Sequence, residues 1–299
     1  MLEKYNAQYN RFAAMLLYKQ IKKLQSKEVK PLLKEFLRED MAAQDITSNT
    51  LISKTKQGEA LLSSREKMIF CGAPIVENMF SKKVTTKMLC RDGDLIKKSQ
   101  IIAKISGPML KILTCERVLL NLVQRLSGIS TLTSKYVQKL NSREIKVLDT
   151  RKTTPGLRLF EKYAVSTGGG NNHRLDLSSG MLIKDNHLTL IKEETLRSIQ
   201  LKKIKKPIQI EVDHIGQITA ENLKISNGYL LDNMGPAEIG RCIKKINSLK
   251  PNNKNIFIEA SGGITLKTIS QYNIKGLDGV SVGALTHQAR SVDVGLDIK

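Results

Sequence analysis

The sequence of 299 residues contains no tryptophan, and aromatic side chains make up only 4% of it. Proteins that bind single-stranded nucleic acid stack bases on aromatic side chains, so this scarcity argues against such a function. No stretch of about 18 uncharged apolar residues occurs, and we therefore expect no transmembrane helix. The N-terminal stretch FAAMLLYKQIKKL lacks the apolar core followed by small residues that marks a signal peptide.

Cysteine is scarce as well. The four cysteines are widely spaced, and none forms a CxxC pair: Cys71, Cys90, Cys115 and Cys242. This pattern predicts neither a zinc site nor a disulfide framework. We therefore expect four reduced thiols in a cytoplasmic protein.

Acidic residues are outnumbered by basic ones, 28 to 49, which gives a formal net charge of +21. Such a charge attracts anions of any kind: nucleic acid, a membrane surface or a phosphorylated substrate. Much of the excess is lysine scattered along the chain, so the charge alone does not select among them. The hydrophobic fraction of 40% is typical of a globular protein with one large or two smaller domains.

The first part of the chain predicts a small sheet packed against helices. Apolar residues at helical spacing indicate helices over residues 8–40, with a break at Pro31. Residues 57–112 contain short strand-like runs separated by glycine turns, with a helix over 76–82. A long helix is predicted from Cys115 onward. Together these elements indicate an α+β domain.

The remainder of the chain has a different hydrophobic pattern. Short apolar segments recur at 145–149, 181–185, 208–213, 228–233, 255–261 and 279–284. Helix-like segments such as LTLIKEETLRSIQL and PAEIGRCIKKINSL separate them. Strands without internal alternation, joined by helices, predict a parallel sheet buried on both faces. Six such strands favour a β/α barrel, which is incomplete at this number.

Polar side chains follow almost every predicted strand of this sheet. They are Asp149 with Arg151 and Lys152, Lys184 with Asp185, Glu211 with Asp213, Asp232, Glu259 with Ser261, and Ser281. A single polar residue after a strand is an ordinary loop residue. Because active sites of β/α barrels lie at the carboxyl ends of the strands, six in succession predict a functional site there.

The last two of these strand ends carry glycines, Gly262 with Gly263 and then Gly283. Glycines at this place let backbone N–H groups approach a phosphate. Glu211 and Asp232 end successive strands, so they could accept hydrogen bonds from sugar hydroxyls or hold Mg²⁺. The alternative for either acid is a salt bridge to one of the many basic residues.

The stretch DTRKTTPGLRLFEKYAVSTGGGNNHR, residues 149–174, is rich in cations and glycine. We interpret Arg151, Lys152, His173 and Arg174 as one wall of an anion cavity. Arg158 and Lys162 are expected to face solvent or to pair with Glu161. His187 is a further candidate for substrate contact, whereas His214 and His287 are interpreted as structural. No HExxH or GxSxG motif occurs, which favours binding and electrostatics over covalent catalysis.

The block LDTRKTTPGLRLFEKYAVSTGGGNNHRLDLSSGMLIKDNH closely resembles the signature region of the quinolinate phosphoribosyltransferase family. The segments LREDMAAQDIT, ERVLLNLVQRLSGIST, IEVD, LLDNM, IEASGGI and DGVSVGALTH agree with it, so the resemblance covers residues 30–298. It implies a type II phosphoribosyltransferase-like α/β fold: an N-terminal α+β open sandwich domain (27–128) and a C-terminal incomplete β/α barrel (129–299). Residues 1–26 would form a leader, and the C-terminal end of the chain would pack back on the N-terminal domain.

The resemblance implies transfer of phosphoribosyl from phosphoribosyl pyrophosphate to quinolinate with decarboxylation, using Mg²⁺, in de novo NAD synthesis. Its catalytic residues match Lys152, Lys184, Glu211 and Asp232, of which Glu211 and Asp232 would hold the metal, directly or through water. Its quinolinate-binding residues match Arg151, Lys152, His173, Arg174 and Lys184. Its phosphoribosyl-binding residues match Glu211, Asp232, Ser261, Gly262, Gly263 and Gly283.

The family also implies a homodimer or a hexamer of dimers, in which Arg117 reaches the neighbouring subunit's site. Neither nucleic acid nor a membrane is expected as a partner. Two other functions stay open on the residues alone. One is a basic nucleic-acid-binding protein. The other is a related phosphoribosyltransferase that uses nicotinate, although the paired arginines Arg151 and Arg174 favour a substrate with two carboxylates.

Overall fold

The computed structural model describes residues 16–184, 187, 190, 205–251 and 254–299. The chain forms two compact units, each assembled from three stretches. The barrel unit comprises residues 1–20, 135–153 and 170–284, and the sandwich unit comprises 21–134, 154–169 and 285–299. The predicted helix LTLIKEETLRSIQL lies outside the described residues, apart from Leu190.

The described elements include the six strands and the long helix that the sequence predicts. The first are α1 (Ser26–Glu39), α2 (Ile46–Leu51), β1 (Gln57–Ser64), β2 (Met68–Ile69), α3 (Ala73–Met79), β3 (Thr85–Met88), β4 (Leu95–Ile96), β5 (Ile101–Pro108) and α4 (Met109–Leu140). Next come β6 (Lys146–Leu148), α5 (Arg158–Thr167), β7 (Met181–Ile183), β8 (Ile208–Val212), α6 (Ala220–Ile225), β9 (Gly228–Asp232) and α7 (Pro236–Leu249). The last are β10 (Phe257–Ser261), β11 (Gly279–Ser281), α8 (Ala284–His287) and β12 (Val294–Ile298). In the part of the chain described here, no helix is long and apolar enough to cross a bilayer.

Helix α1 is continuous, so the predicted break at Pro31 is wrong. A proline inside a helix removes one backbone hydrogen bond and crowds the preceding turn. Here Val29 and Leu33, on either side of it, are buried at 0% and 2% exposure, and their packing stabilises the helix through the proline. At the N-terminal end, the Glu28 carboxylate accepts the Gln25 backbone N–H at 3.1 Å.

The sandwich unit contains a four-stranded antiparallel sheet in the order β12-β1-β5-β3. Leu62 of β1 is opposite Ala103 of β5 on one side and opposite Leu296 of β12 on the other. Leu62 and Ala103 are fully buried, so this face of the sheet contributes to the core. The C-terminal strand thus completes the sheet whose first strand begins at Gln57.

The barrel unit contains the six predicted strands as one parallel sheet in the order β6-β11-β10-β9-β8-β7. Residues 228–231 of β9 are all buried, which explains why this strand shows no alternation of apolar and polar residues. No ladder joins β6 to β7 within the described ranges, so the barrel is incomplete, as predicted.

The register of these strands decides which polar residues share a face. Leu230 of β9 pairs with Glu211 of β8 and with Glu259 of β10, and Asp232 pairs with Ser261. Side chains two residues apart on a strand point to the same face, so all four polar side chains lie on one face of the sheet. The fold therefore concentrates polar groups on the inner face of a sheet whose other positions are apolar.

Candidate active site

Lys184 and Glu211 form an ion pair at the carboxyl ends of β7 and β8. Ile183 pairs with Ile210 in the parallel ladder, so the next residue of each strand lies side by side. The Lys184 ammonium is 2.8 Å from Oε2 of Glu211 and 3.0 Å from Oε1. The salt bridge considered for Glu211 is thus present, and its partner is another predicted site residue. The pair is part-exposed, so an incoming anion can reach the lysine.

Asp232 lies on the same face as Glu211 but one row nearer the carboxyl edge, because Glu211 is level with Leu230. Two residues along a strand span about 6.6 Å. Oδ2 of Asp232 accepts a hydrogen bond from the Asn233 amide at 2.8 Å, and the Asn233 backbone N–H donates to the Ser261 carbonyl at 2.8 Å. Asp232 and Ser261 are therefore fixed beside each other at the ends of β9 and β10.

The glycine turn after β10 needs glycine at one position and leaves open space at the next. Gly262 has φ +92°, and a Cβ built on it would lie 2.1 Å from Oδ1 of Asn233. Gly263 has φ +61°, and no atom lies within 4 Å of its Cβ position. The turn presents exposed backbone at Gly263, next to Ser261. Gly283 is half-buried and directly precedes α8.

The cation-rich stretch folds back on itself at Asp149. A parallel bridge joins Leu148 at the end of β6 to Asn171. The buried Asp149 carboxylate accepts the Asn172 side-chain amide at 2.7 Å and the His173 backbone N–H at 2.9 Å. The residues after the triple glycine are therefore held beside the strand end that carries Arg151, as the sequence predicts.

Two arginines come close together as a result. Arg174 is buried at 7% exposure and donates to the Gly180 carbonyl at 3.1 Å. Burial lowers the pKa of Arg174, and the nearby charge of Arg151 lowers it further. Nε of Arg151 is itself buried without a hydrogen-bond partner among the described residues. Two adjacent guanidinium groups with an unsatisfied donor are suited to bind an anion.

His173 has a hydrogen bond at Nδ1 and a carboxylate near Nε2. Nδ1 accepts the Arg174 backbone N–H at 2.8 Å, which leaves the ring proton on Nε2, and Nε2 lies 3.5 Å from Oε2 of Glu259. Glu259 is fully buried and also accepts Gln209 Nε2 at 2.7 Å and the Ser281 hydroxyl. Burial alone would raise the pKa of Glu259, but His173, Ser281 and Gln209 together hold it below its usual value.

This buried cluster was only partly visible in the sequence. Glu259 and Ser281 follow from the strand-end pattern, but their link to His173 does not. Gln209 was missed entirely. Its signal is position: Gln209 and Glu211 are the polar residues of the run IQIEV and alternate along it, which places both on the inner face.

The remaining candidates differ in their surroundings. Lys152 is exposed, and Arg117 is exposed on α4 in the sandwich unit. Lys162 is fully buried, so the interpretation that it faces solvent is wrong. It lies on the inward side of α5. The Glu161 carboxylate binds Arg125 at 2.8 Å.

The other histidines make local contacts. Nδ1 of His187 accepts the Lys184 backbone N–H at 3.0 Å, and Nδ1 of His214 accepts the Gly216 N–H at 3.2 Å. His287 is exposed. Within the described ranges, no three His, Cys, Asp or Glu side chains cluster in a way that could hold a metal ion.

Comparison with known proteins identifies the family of this chain. The profile "Quinolinate phosphoribosyl transferase, C-terminal domain" matches residues 129–297, and the profile of the N-terminal domain matches residues 45–127. A probable nicotinate-nucleotide pyrophosphorylase [carboxylating] from Bacillus subtilis is 38% identical over 277 residues, covering 91% of this chain and 93% of the relative. A probable enzyme of the same name from Methanocaldococcus jannaschii is 36% identical over 274 residues, covering 89% and 96%.

A solved structure is similar over the same extent. The nicotinate-nucleotide pyrophosphorylase from Francisella tularensis has a TM-score of 0.83 and 31% identity, covering 94% of this chain and 100% of that one. The chain belongs to the quinolinate phosphoribosyltransferase family.

Proposed function

We propose that this protein transfers the phosphoribosyl group of phosphoribosyl pyrophosphate to quinolinate with decarboxylation. The products are nicotinate mononucleotide, pyrophosphate and CO₂, in NAD biosynthesis. The observation that carries the proposal is that the buried Arg174 is held beside the strand end that carries Arg151, in a chain that contains both domains of the family.

Quinolinate would bind on the cationic side of the site. Its two carboxylates match the planar forks of Arg151 and Arg174, and Lys152 and Lys184 would add point charges. His173 would border the ring. Binding a dianion would also remove the repulsion between the two guanidinium groups, which strengthens the interaction.

Phosphoribosyl pyrophosphate would bind along the ends of β8 to β11. Glu211 and Asp232 would accept hydrogen bonds from the ribose hydroxyls. The open turn at Gly262 and Gly263, with Ser261 and Gly283, would approach the phosphate through backbone N–H groups.

The residues present fit a bound Mg²⁺. This ion is usually held by one or two carboxylates together with substrate phosphates and water, and Glu211 and Asp232 are two carboxylates on one face of adjacent strands. When bound, Mg²⁺ would neutralise charge on the pyrophosphate.

The reaction follows from these positions. The pyridine nitrogen of quinolinate attacks the anomeric carbon as the bond to pyrophosphate breaks, and Glu211 and Asp232 stabilise the positive charge that develops on the ribose. Lys184 can exchange its carboxylate partner for the departing anion. The bond to the carboxylate beside the ring nitrogen then breaks. Its electron pair remains on the ring carbon, stabilised by the cationic nitrogen, and takes up a proton as CO₂ leaves.

We further propose a homodimer, or an assembly of dimers, in which Arg117 completes the neighbouring subunit's site. Exposure of Arg117 on α4 supports this role. A cytoplasmic location is proposed from the four free thiols, which suit a reducing compartment.

Substrate choice tests the function directly. The purified protein is given phosphoribosyl pyrophosphate with either quinolinate or nicotinate, and both nucleotide and CO₂ are measured. We expect equal amounts of nucleotide and CO₂ from quinolinate and little product from nicotinate. Turnover of nicotinate without CO₂ would show that the related phosphoribosyltransferase activity is the correct one.

A further inference from the structure

The segment Leu17–Gln20, which precedes α1, lies in the barrel unit and contacts the inner face of its sheet at Gly228 and Gln209. The Gln20 side chain pairs with the backbone of Asn172 as a neighbouring strand would. Its amide nitrogen donates to the Asn172 carbonyl at 2.9 Å, and its amide oxygen accepts the Asn172 N–H at 2.6 Å. The segment fills the side of residues 171–173 that faces away from β6.

Tyr18 is the residue of this segment that contacts His173. It is 8% exposed, and its ring lies 4.7 Å from the His173 ring, tilted by 35°. A Cβ on Gly180 would lie 2.6 Å from Cε1 of Tyr18, so only glycine at 180 permits the observed position of the ring. Similarly, a Cβ built on Gly228 would lie 3.1 Å from Cδ1 of Leu17.

The Tyr18 hydroxyl determines the orientation of Gln209. It donates to Oε1 of Gln209 at 3.0 Å, while Nε2 of the same amide donates to Glu259 at 2.7 Å. An amide has one accepting and one donating end, so a donor at Oε1 turns the nitrogen toward Glu259. Burial raises the pKa of Tyr18, and the charge of Glu259 raises it further, so the hydroxyl keeps its proton and remains a donor.

These contacts form one continuous series. It runs from Tyr18 through Gln209 and Glu259 to His173, whose other nitrogen holds the backbone of Arg174. Tyr18 also contacts His173 directly through its ring. The series therefore joins the segment before α1 to an arginine proposed to bind quinolinate.

We propose that Tyr18 is a positioning residue of the active site, which fixes His173 by its ring and Glu259 through Gln209 so that Arg174 is held for the quinolinate carboxylate. The inference rests on the proposed role of Arg174. It assigns a function in the site to the segment Leu17–Gln20.

Tyr18→Phe tests the hydroxyl alone. A buried hydrogen bond contributes on the order of 1 kcal/mol, so we expect the KM for quinolinate to rise roughly 3- to 10-fold. The KM for phosphoribosyl pyrophosphate and the Tm should change little, because the ring is kept. Tyr272→Phe is the matched control, since Tyr272 is equally buried at 8% exposure in the same unit, and it should have wild-type kinetics.

The outcomes separate this inference from the proposed function. A wild-type protein that does not convert quinolinate would contradict the function itself. If the wild-type protein is active, an unchanged KM for quinolinate in Tyr18→Phe would contradict the positioning role. So would equal changes in the KM values for quinolinate and phosphoribosyl pyrophosphate together with a lower Tm.

Discussion

Arg151 and Arg174 both carry a positive charge, and both side chains are at least partly buried. Burial and the neighbouring charge both disfavour the charged form of Arg174, which is why its pKa is lowered. A pair of this kind costs free energy in the ligand-free protein and becomes favourable only when an anion binds. At the scale of single residues, the site is arranged for its ligand at some expense of stability.

Replacing one cation of this site by alanine should therefore impair activity without unfolding the protein. Arg151→Ala, or separately Lys184→Ala, is expected to lower kcat/KM about 100-fold or more, because hydrogen bonds to charged groups contribute about 1.5–3 kcal/mol each. The Tm should fall little, since both side chains are part-exposed. Steady-state kinetics and thermal unfolding measure the two effects. Lys224→Ala, at an exposed position on α6, is the control, and wild-type kinetics in Arg151→Ala or Lys184→Ala would remove that residue from the site.

Glu259 should make stability depend on pH in a defined direction. Its pKa in the folded protein is below the value of about 4.3 in an unfolded chain, so its contribution is present above that pH and is lost as the pH falls through the folded value. Glu259→Gln should reduce stability at neutral pH and flatten the acid decrease in the urea midpoint. An unchanged acid slope would contradict this.

Asp92 provides a control of opposite sign. Burial raises the pKa of Asp92, despite hydrogen bonds from Ala73, Tyr163 and Gly72. A carboxyl group whose pKa is raised by folding stabilises the folded state at low pH. That stabilisation is lost as the pH rises through the raised pKa. Asp92→Asn should therefore make the acid decrease in stability steeper.

At the scale of elements, the turn after β10 shows how local conformation serves the site. Gly262→Ala would strain the backbone at φ +92° and would also place a methyl group against Asn233. We expect a loss of roughly 1–3 kcal/mol in the free energy of unfolding and a higher KM for phosphoribosyl pyrophosphate. Gly263→Ala is the matched variant, since φ is also positive but the space is open, and it should cost about 1 kcal/mol. Equal effects of the two substitutions would show that the contact with Asn233 is unimportant.

The elements were also the most predictable part of the molecule. All six strands of the parallel sheet follow from short apolar runs that end in polar residues, because burial on both faces leaves a local signature. The start of α4 at Met109, rather than at Cys115, and the continuity of α1 through Pro31 depend on packing. The contact of Tyr18 with Gln209 joins residues that are 191 positions apart, and no local pattern encodes it.

At the scale of the whole molecule, the proposed role of Arg117 predicts that subunits complement one another. Arg117→Ala and Lys184→Ala should each be nearly inactive, yet a mixture of the two should recover about one quarter of wild-type activity after the subunits exchange. About half of the dimers would then contain one subunit of each kind, and each would have one intact site. Activity measured after unfolding and refolding the mixture provides the test.

A mixture of Arg151→Ala with Lys184→Ala is the control. Both residues belong to the same subunit's barrel unit, so each site of a mixed dimer would lack one of them and no activity should return. If the mixture of Arg117→Ala with Lys184→Ala forms intact dimers but recovers no activity, a site shared between subunits is contradicted.

Pairing of β12 with β1 has a consequence for how the protein folds during synthesis. Ala60 and Ile298 are partners in one sheet, and residues 135–153 and 170–284 of the barrel unit lie between them along the chain. The sheet of the sandwich unit therefore cannot be completed until the ribosome has translated the barrel unit. Sequence separations of this size slow folding and leave the edge of β1 unpaired in the meantime. The nascent chain is thus expected to engage chaperones most strongly just before β12 emerges.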